Sequence, residues 1–320
     1  MSPIVRLAVS LGDPRGIGPE VARRAARQLL QDDASVEVVL LGQQHEDAAA
    51  LPLVEVAPFD GTEASAGRVA GLAIEQGVAM IRSGQADALV TAPIHKPALH
   101  AAGYSEPGHT ELLQRLSGAH DVGMLMAAET TRLGGPLRVL LATTHLALRD
   151  VPARITTELL KRQARLLHQA LHTDWAIAQP RLALCALNPH ASDQGLFGDE
   201  EAQVMQPAVS RLRAEGIDIS DALPADTVFS RTLRGEFDAV IAPYHDVGMA
   251  AFKTVAFGGG VNVTLGLPFV RTSPDHGTAF DIAGQGRADA GSMLESLRLA
   301  ARLTRARQQR QPALPHGASA

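Results

Sequence analysis

Apolar residues fall along this chain in short continuous runs, separated by longer stretches in which they recur at helical spacing. The runs lie at 4–11, 36–42, 87–93, 122–127, 137–142, 181–187 and 238–243. Runs of this length read as strands, and being apolar throughout rather than alternating they read as strands buried on both faces, the signature of a parallel sheet. The intervening segments predict helices over 18–30, 66–83, 109–117, 154–172, 200–215 and 291–308. Strand and helix in alternation predict an α/β fold with a largely parallel sheet. A change in character near 120–140 and the stretch Gly258-Gly259-Gly260 divide the chain into a first α/β domain, 1–125 plus 290–320, and a second, 126–289. There are no internal repeats. Residues 44–65 read as a polar, small-residue connection, and the end from about Gln308 as a frayed tail.

Composition narrows the partners. With 320 residues, 46% hydrophobic and 20% charged, the chain can bury two cores and lacks the bias of a disordered protein. A formal charge of -5 provides no basic field, so neither nucleic acid nor an anionic membrane is expected. No segment approaches a membrane span, and the start enters a strand without a targeting signal. Cys185, the single cysteine, sits inside an apolar run, so no intrachain disulfide forms and a cytoplasmic protein is expected. Only Lys96, Lys161 and Lys253 among 29 basic residues are lysines. In so arginine-rich a chain, a lysine inside a motif points to a need for a compact, titratable ammonium.

Three of the strand-like runs end in histidine: Arg138-Val-Leu-Leu-Ala-Thr-Thr-His145, Arg181-Leu-Ala-Leu-Cys-Ala-Leu-Asn-Pro-His190 and Asp238-Ala-Val-Ile-Ala-Pro-Tyr-His245. Ligands of parallel sheets collect beyond the carboxyl ends of the strands. Three imidazoles there, with a coordination position left open, would make a catalytic rather than a structural metal site. Gly12-Asp-Pro-Arg-Gly-Ile-Gly-Pro-Glu20 joins the first strand to the first helix, and reads either as an anion cradle or as a plain tight turn. In Gly108-His109-Thr110-Glu111, Thr110 either caps the following helix or binds substrate beside His109. Lys253, set among apolar neighbours, Asn262, and Arg271 with its bidentate fork are candidates to hold an anionic substrate.

A fourth motif, Asp275-His276-Gly277-Thr-Ala-Phe-Asp281-Ile-Ala-Gly284-Gln-Gly286, together with the Gly-Ile-Gly-Pro-Glu turn, resembles the β-decarboxylating dehydrogenases of the isocitrate and isopropylmalate type. Those enzymes ligate their metal with aspartates, whereas this chain offers histidines. Over nearly its full length it resembles the 4-hydroxythreonine-4-phosphate dehydrogenase family of pyridoxal phosphate biosynthesis. Further segments that carry the resemblance are Thr91-Ala-Pro-Ile-His-Lys96, Pro107-Gly-His-Thr-Glu111, Ala142-Thr-Thr-His145, Asn188-Pro-His190, Pro224-Ala-Asp-Thr227, Tyr244-His-Asp246 and Val261-Asn-Val-Thr-Leu-Gly-Leu-Pro-Phe-Val-Arg271.

The resemblance implies a two-domain α/β/α fold with the site in an interdomain cleft. It implies a divalent metal (zinc, magnesium or cobalt) on His145, His190 and His245, and NAD or NADP on His276, Gly277, Asp281 and Gly284. Substrate would contact His109, Thr110, Lys253, Asn262 and Arg271, with Lys253 in proton transfer and Asp226 and Asp246 as orienting groups. It also implies a homodimer whose metal site is completed by a histidine of the partner. The expected reaction is oxidation of 4-phosphohydroxy-L-threonine and decarboxylation to 3-amino-2-oxopropyl phosphate. Alternatives are oxidation of threonate or erythronate 4-phosphate or of a cis-dihydrodiol carboxylate, and, from another class, a metal-dependent hydrolase or phospho-ligand-binding protein without a redox role. Arg15 departs from the family, standing where a small residue is common.

Overall fold

A computed structural model describes residues 4–43 and 51–310 of the chain. In chain order these residues form β1 (Val5–Ser10), α1 (Gly18–Asp32), β2 (Val36–Gly42), β3 (Leu53–Glu55), α2 (Glu63–Arg82), β4 (Ala88–Thr91), α3 (Lys96–Ala101), α4 (His109–Ser117), β5 (Gly123–Ala128), β6 (Leu137–Leu141), α5 (Val151–Arg154), α6 (Thr157–Thr173), β7 (Arg181–Cys185), α7 (Gln206–Ala214), β8 (Asp218–Leu223), α8 (Ala225–Leu233), β9 (Ala239–Ala242), α9 (His245–Ala256), β10 (Val261–Leu265), β11 (Val270–Pro274) and α10 (Gly291–Arg310). The chain is α/β, as the alternation of patterns predicts. Two compact units emerge, Met1–His120 with Leu267–Ala320, and Asp121–Gly266.

In the first unit the strand order is β3-β2-β1-β4-β11 and every neighbouring pair is parallel. The chain runs from β1 outward to β2 and β3, then returns to the other side of β1 with β4. That reversal is a topological switch point, and ligands of open α/β sheets bind beyond the carboxyl ends of the strands at such a point. Leu89 of β4 lies against Gly77 of α2, whereas Thr272 of β11 donates to the Ser296 carbonyl of α10, so the two helices cover opposite faces. Helix starts follow local chemistry. Pro19 occupies the first turn of α1, and Thr62 caps α2 by accepting from the Ser65 amide at 3.2 Å.

The second unit orders its strands β10-β5-β6-β9-β7-β8. Strand β5 is antiparallel to both β10 and β6, while β6, β9, β7 and β8 pair in parallel. Leu137, Val139 and Leu141 of β6, Val240 and Ala242 of β9 and Ala183 and Cys185 of β7 form its core with Val228 and Phe252 from α8 and α9. The buried phenyl ring of Phe252 contributes about 2 kcal/mol by leaving water.

The structure differs from the sequence reading in definite places. The return to the first unit comes at Leu267 rather than at 290, because β11 pairs with β4, so residues 267–289 belong to the first unit. Of the tract 44–65, residues 44–50 lie outside the described residues, and the rest contains β3 and the capped start of α2. Helix α10 continues to Arg310, and residues beyond it are not described. Elements α8, α9, β10 and β11 occupy segments read for their chemistry rather than for periodicity, and β8 lies in a segment given no reading.

Candidate active site

Strands β6, β9 and β7 are adjacent and parallel, and His145, His245 and His190 follow their respective carboxyl ends. His245 opens α9, directly after Tyr244 at its N-cap. The rings of His145 and His245 stand with centroids 5.4 Å apart. His245 Nδ1 lies 2.9 Å from Asp246 Oδ1, which favours the tautomer with the proton on Nδ1 and leaves Nε2 as a ligand atom. His190 is held differently. It sits in a run of left-handed backbone, with φ of 52° at His190, 54° at Ala191, 65° at Ser192, 43° at Asp193 and 60° at Gln194, and its side chain is exposed.

Among the described residues no group of three or more His, Cys, Asp or Glu stands at metal-binding spacing, so the three-histidine convergence is not formed within this chain. The donor chemistry of His145 and His245 suits a borderline divalent cation, and two imidazoles this close fit part of one coordination sphere.

The segment carrying His190 is clamped by a group that sequence reasoning missed. Buried Glu201 accepts from the Leu187 amide at 2.9 Å, the Asn188 amide at 2.7 Å and Asn188 Nδ2 at 2.9 Å, and Glu200 accepts from the same Nδ2 at 2.7 Å. Glu201 begins a π-helical stretch, Glu201–Met205, which lies inside the segment 200–215 expected to be one helix. A glutamate in an amphipathic pattern shows no sign of being buried, so only the fold identifies it.

The first unit holds a second polar cluster, at its switch point. Arg271 is only 2% exposed, and its Nη2 donates to Thr91 Oγ1 over 2.6 Å. Burial brings its guanidinium down to about 9. His109 is the first residue of α4, with Gly108 at the N-cap, so Thr110 lies inside the first turn and does not cap the helix. The His109 ring bonds the Ala92 backbone, and its Nε2 is closed off from solvent without a partner in the described residues. Burial first, then the nearby Arg271 charge, holds this imidazole well below its usual range, so it stays neutral and presents a lone pair. Lys96 adds a cation here, its Cε 3.6 Å from where a Cβ on Gly108 would stand.

Beside this cluster the loop after β1 packs on two others. A Cβ at Gly12, whose φ is 73°, would fall 2.1 Å from the Pro93 carbonyl, and one at Gly16 would fall 2.7 Å from the Thr278 carbonyl. The Ile17 amide donates to that same Thr278 oxygen at 2.9 Å. Part of the amide set read as an anion cradle is therefore spent on packing, which favours the tight-turn reading. Arg15 is fixed by buried Asp13, to which its Nε and Nη2 donate at 3.0 and 2.8 Å, and its guanidinium lies over Phe280 at 5.3 Å. The remaining candidates lie apart from these contacts or on other elements. His276 closes on the Gly277 carbonyl at 3.1 Å, Gly277 and Gly284 face open space, and Asp281 is exposed. Asn262 is on β10, Lys253 and Asp246 lie seven residues apart on α9, and exposed Asp226 is in the first turn of α8.

Comparison with known proteins places these features in a family. The family described as "Pyridoxal phosphate biosynthetic protein PdxA" matches residues 13–300. The 4-hydroxythreonine-4-phosphate dehydrogenase of Paracoccus denitrificans is 42% identical over 312 residues, spanning 92% of this chain and 96% of the relative. A crystal structure of the 4-hydroxythreonine-4-phosphate dehydrogenase of Klebsiella pneumoniae is similar with a TM-score of 0.83 and 35% identity, covering 95% of this chain and 99% of the other. A terephthalate 1,2-cis-dihydrodiol dehydrogenase from Burkholderia xenovorans is more distant, with a TM-score of 0.65 and 29% identity over 93% and 98% of the two chains. A family match spanning both units and a relative at this identity over nearly the whole length settle the membership: this chain belongs to the PdxA family of pyridoxal phosphate biosynthetic proteins.

Proposed function

We propose that this chain is a metal- and NAD(P)-dependent dehydrogenase that oxidises 4-phosphohydroxy-L-threonine, the β-keto acid so formed losing carbon dioxide to leave 3-amino-2-oxopropyl phosphate. The observation that carries this reading is the pairing of His145 with His245 at the strand ends, in a chain of this family. When bound, a divalent cation supplies Lewis acidity at the substrate's carbinol oxygen and the nicotinamide accepts the hydride. His145 and His245 would hold the cation, with Asp246 orienting His245. The third ligand is His190 of a second copy, which makes the homodimer a condition of activity. Arg271 and Lys96 hold anionic oxygens of the substrate, Asn262 and Thr110 bind its polar groups, and His109 accepts a hydrogen bond from a substrate donor. Lys253 moves the proton, and Asp226 is an orienting group. The loop carrying His276, Gly277, Asp281 and Gly284 takes the cofactor. No described helix is long and apolar enough to cross a membrane, and with the absence of a basic field this supports a cytoplasmic enzyme of small metabolites.

The test is NADH or NADPH formation by metal-replete protein across a panel of 4-phosphohydroxy-L-threonine, threonate and erythronate 4-phosphates and a cis-dihydrodiol carboxylate. Turnover of the first with the highest kcat/KM is expected. The distant dihydrodiol dehydrogenase motivates the last substrate, and a preference for it over every phosphorylated acid would overturn the proposal. No turnover of any hydroxy acid, without binding of either nucleotide, would instead indicate a hydrolase or ligand-binding role.

A further inference from the structure

The carboxyl ends of β1 and β4 carry two hydroxyls to which no role has been given. Ser10 and Thr91 are directly opposite one another in the parallel register, so their side chains share a face of the sheet, and both residues are 0% exposed. Arg271 reaches the same face from β11. Its register partner on β4 is Leu89, two residues before Thr91, which is why its Nη2 meets Thr91 Oγ1. Ser10 Oγ is closed off from solvent and has no hydrogen-bond partner among the described residues. Leaving a buried hydroxyl unsatisfied is destabilising, and such groups concentrate where a ligand completes the set. A core position at the end of an apolar strand would be served better by alanine.

We propose that Ser10 and Thr91 complete an oxyanion subsite with Arg271. Ser10 Oγ–H donates to an oxygen of the ligand. Thr91 is a positioning residue, since by accepting from Nη2 it sets the plane of the guanidinium and so the direction of its remaining N–H groups. The ligand class is a phosphate or carboxylate oxyanion, and within the proposed reaction, on which this inference rests, that is one end of the phosphorylated hydroxy acid.

The test uses the full-length, metal-replete protein with Ser10→Ala, Thr91→Val and Thr91→Ser. In the absence of ligand, Ser10→Ala should melt at the same temperature as the parent or higher, because an unsatisfied polar atom has been removed. Yet its KM for the phosphorylated acid should rise about tenfold with kcat within about twofold. Thr91→Val should move KM in the same direction and Thr91→Ser should restore most of the loss, with the nucleotide KM unchanged in all three. Inorganic phosphate and unphosphorylated 4-hydroxythreonine, each tested for its rise in melting temperature, separate the two sources. Loss of the phosphate effect in the variants assigns the subsite to phosphate, and loss of the other effect assigns it to the carboxylate. A Ser10→Ala protein that melts lower while keeping both ligand effects and its KM overturns the proposal, as does a parent protein that neither ligand stabilises. Should the parent bind phosphate without turning over any substrate, the proposed reaction fails while the melting shifts still decide the subsite.

Discussion

His109 shows how far one residue's chemistry depends on what surrounds it. In the sequence it is a histidine before a helix, as ready to carry a proton as any other. Burial and the Arg271 charge hold it neutral, and its bond to the Ala92 backbone leaves Nε2 as an acceptor. By NMR its ring resonances should therefore titrate at a lower pH than those of an exposed imidazole. Because the folded value lies below the ordinary 6.5, the associated stability is present above pH 6.5 and is lost as pH falls below it. His109→Gln should abolish that part of the acid sensitivity, and an unchanged pH–stability curve in the variant would refute the assignment. Arg271 is legible in the sequence as a fork for an anion, but its partner Thr91 is not, since a hydroxyl at the end of an apolar strand looks like filler. Arg271→Lys keeps the charge and loses the planar fork, so kcat/KM for the phosphorylated acid should fall at least about tenfold, near 1.4 kcal/mol, with nucleotide affinity unchanged. Equal kcat/KM for phosphorylated and dephosphorylated acids in the parent enzyme would contradict the premise. Cys185 shows burial acting without function. Desolvation pushes its thiol up to about 12, so a thiol reagent should label the native protein only at the rate of unfolding, and rapid labelling would mean the core is open.

At the scale of elements, the turn after β7 is the least predictable feature. Five consecutive non-glycine residues, His190 to Gln194, adopt left-handed backbone. Each costs about 1 kcal/mol or more, and the Asn188–Glu201 hydrogen bonds anchor the segment from which the turn departs. Gln194 is exposed at φ 60°, so Gln194→Gly should raise stability by about 0.5 kcal/mol after the entropy of the unfolded chain is counted, read as a higher melting temperature. A lower melting temperature would show that the side chain, not the backbone, holds the turn. The strands were legible because a run of apolar residues has one stable use in an α/β protein. Elements β10, β11 and α9 escaped because Asn262, Arg271, His245 and Lys253 interrupt their apolar pattern with the groups that carry chemistry.

At the scale of the molecule, the candidate residues divide between the units. The three histidines, Lys253 and Asn262 belong to Asp121–Gly266, and His109, Arg271 and the loop 275–286 belong to the other. Among the described residues the rings of His145 and His245 meet within one chain. His190→Ala should stay folded and dimeric, judged by melting and sedimentation, while losing turnover and one metal per site. Mixed with His145→Ala and allowed to exchange subunits, it should recover about a quarter of parental activity. Random exchange makes half the dimers heterodimers, and each of those carries one intact site of two if His145 and His190 come from different subunits. No recovery on mixing would place both ligands in the same chain.

What the sequence determined by itself follows from short-range physics. Apolar runs specify strands, Pro19 and Thr62 specify helix starts, Gly12 and Gly16 permit the close turn, and the order of these signals specifies an α/β chain. It also placed three histidines at the carboxyl edge, because that depends only on where parallel strands end. Tertiary structure alone decided what depends on distant partners. The β4–β11 pairing moved residues 267–289 to the first unit, and Glu201 became the clamp of Asn188. Burial made His109 neutral, and strand register brought Ser10, Thr91 and Arg271 onto one face. Desolvation and register are properties of the space between segments, and no local pattern of residues encodes them.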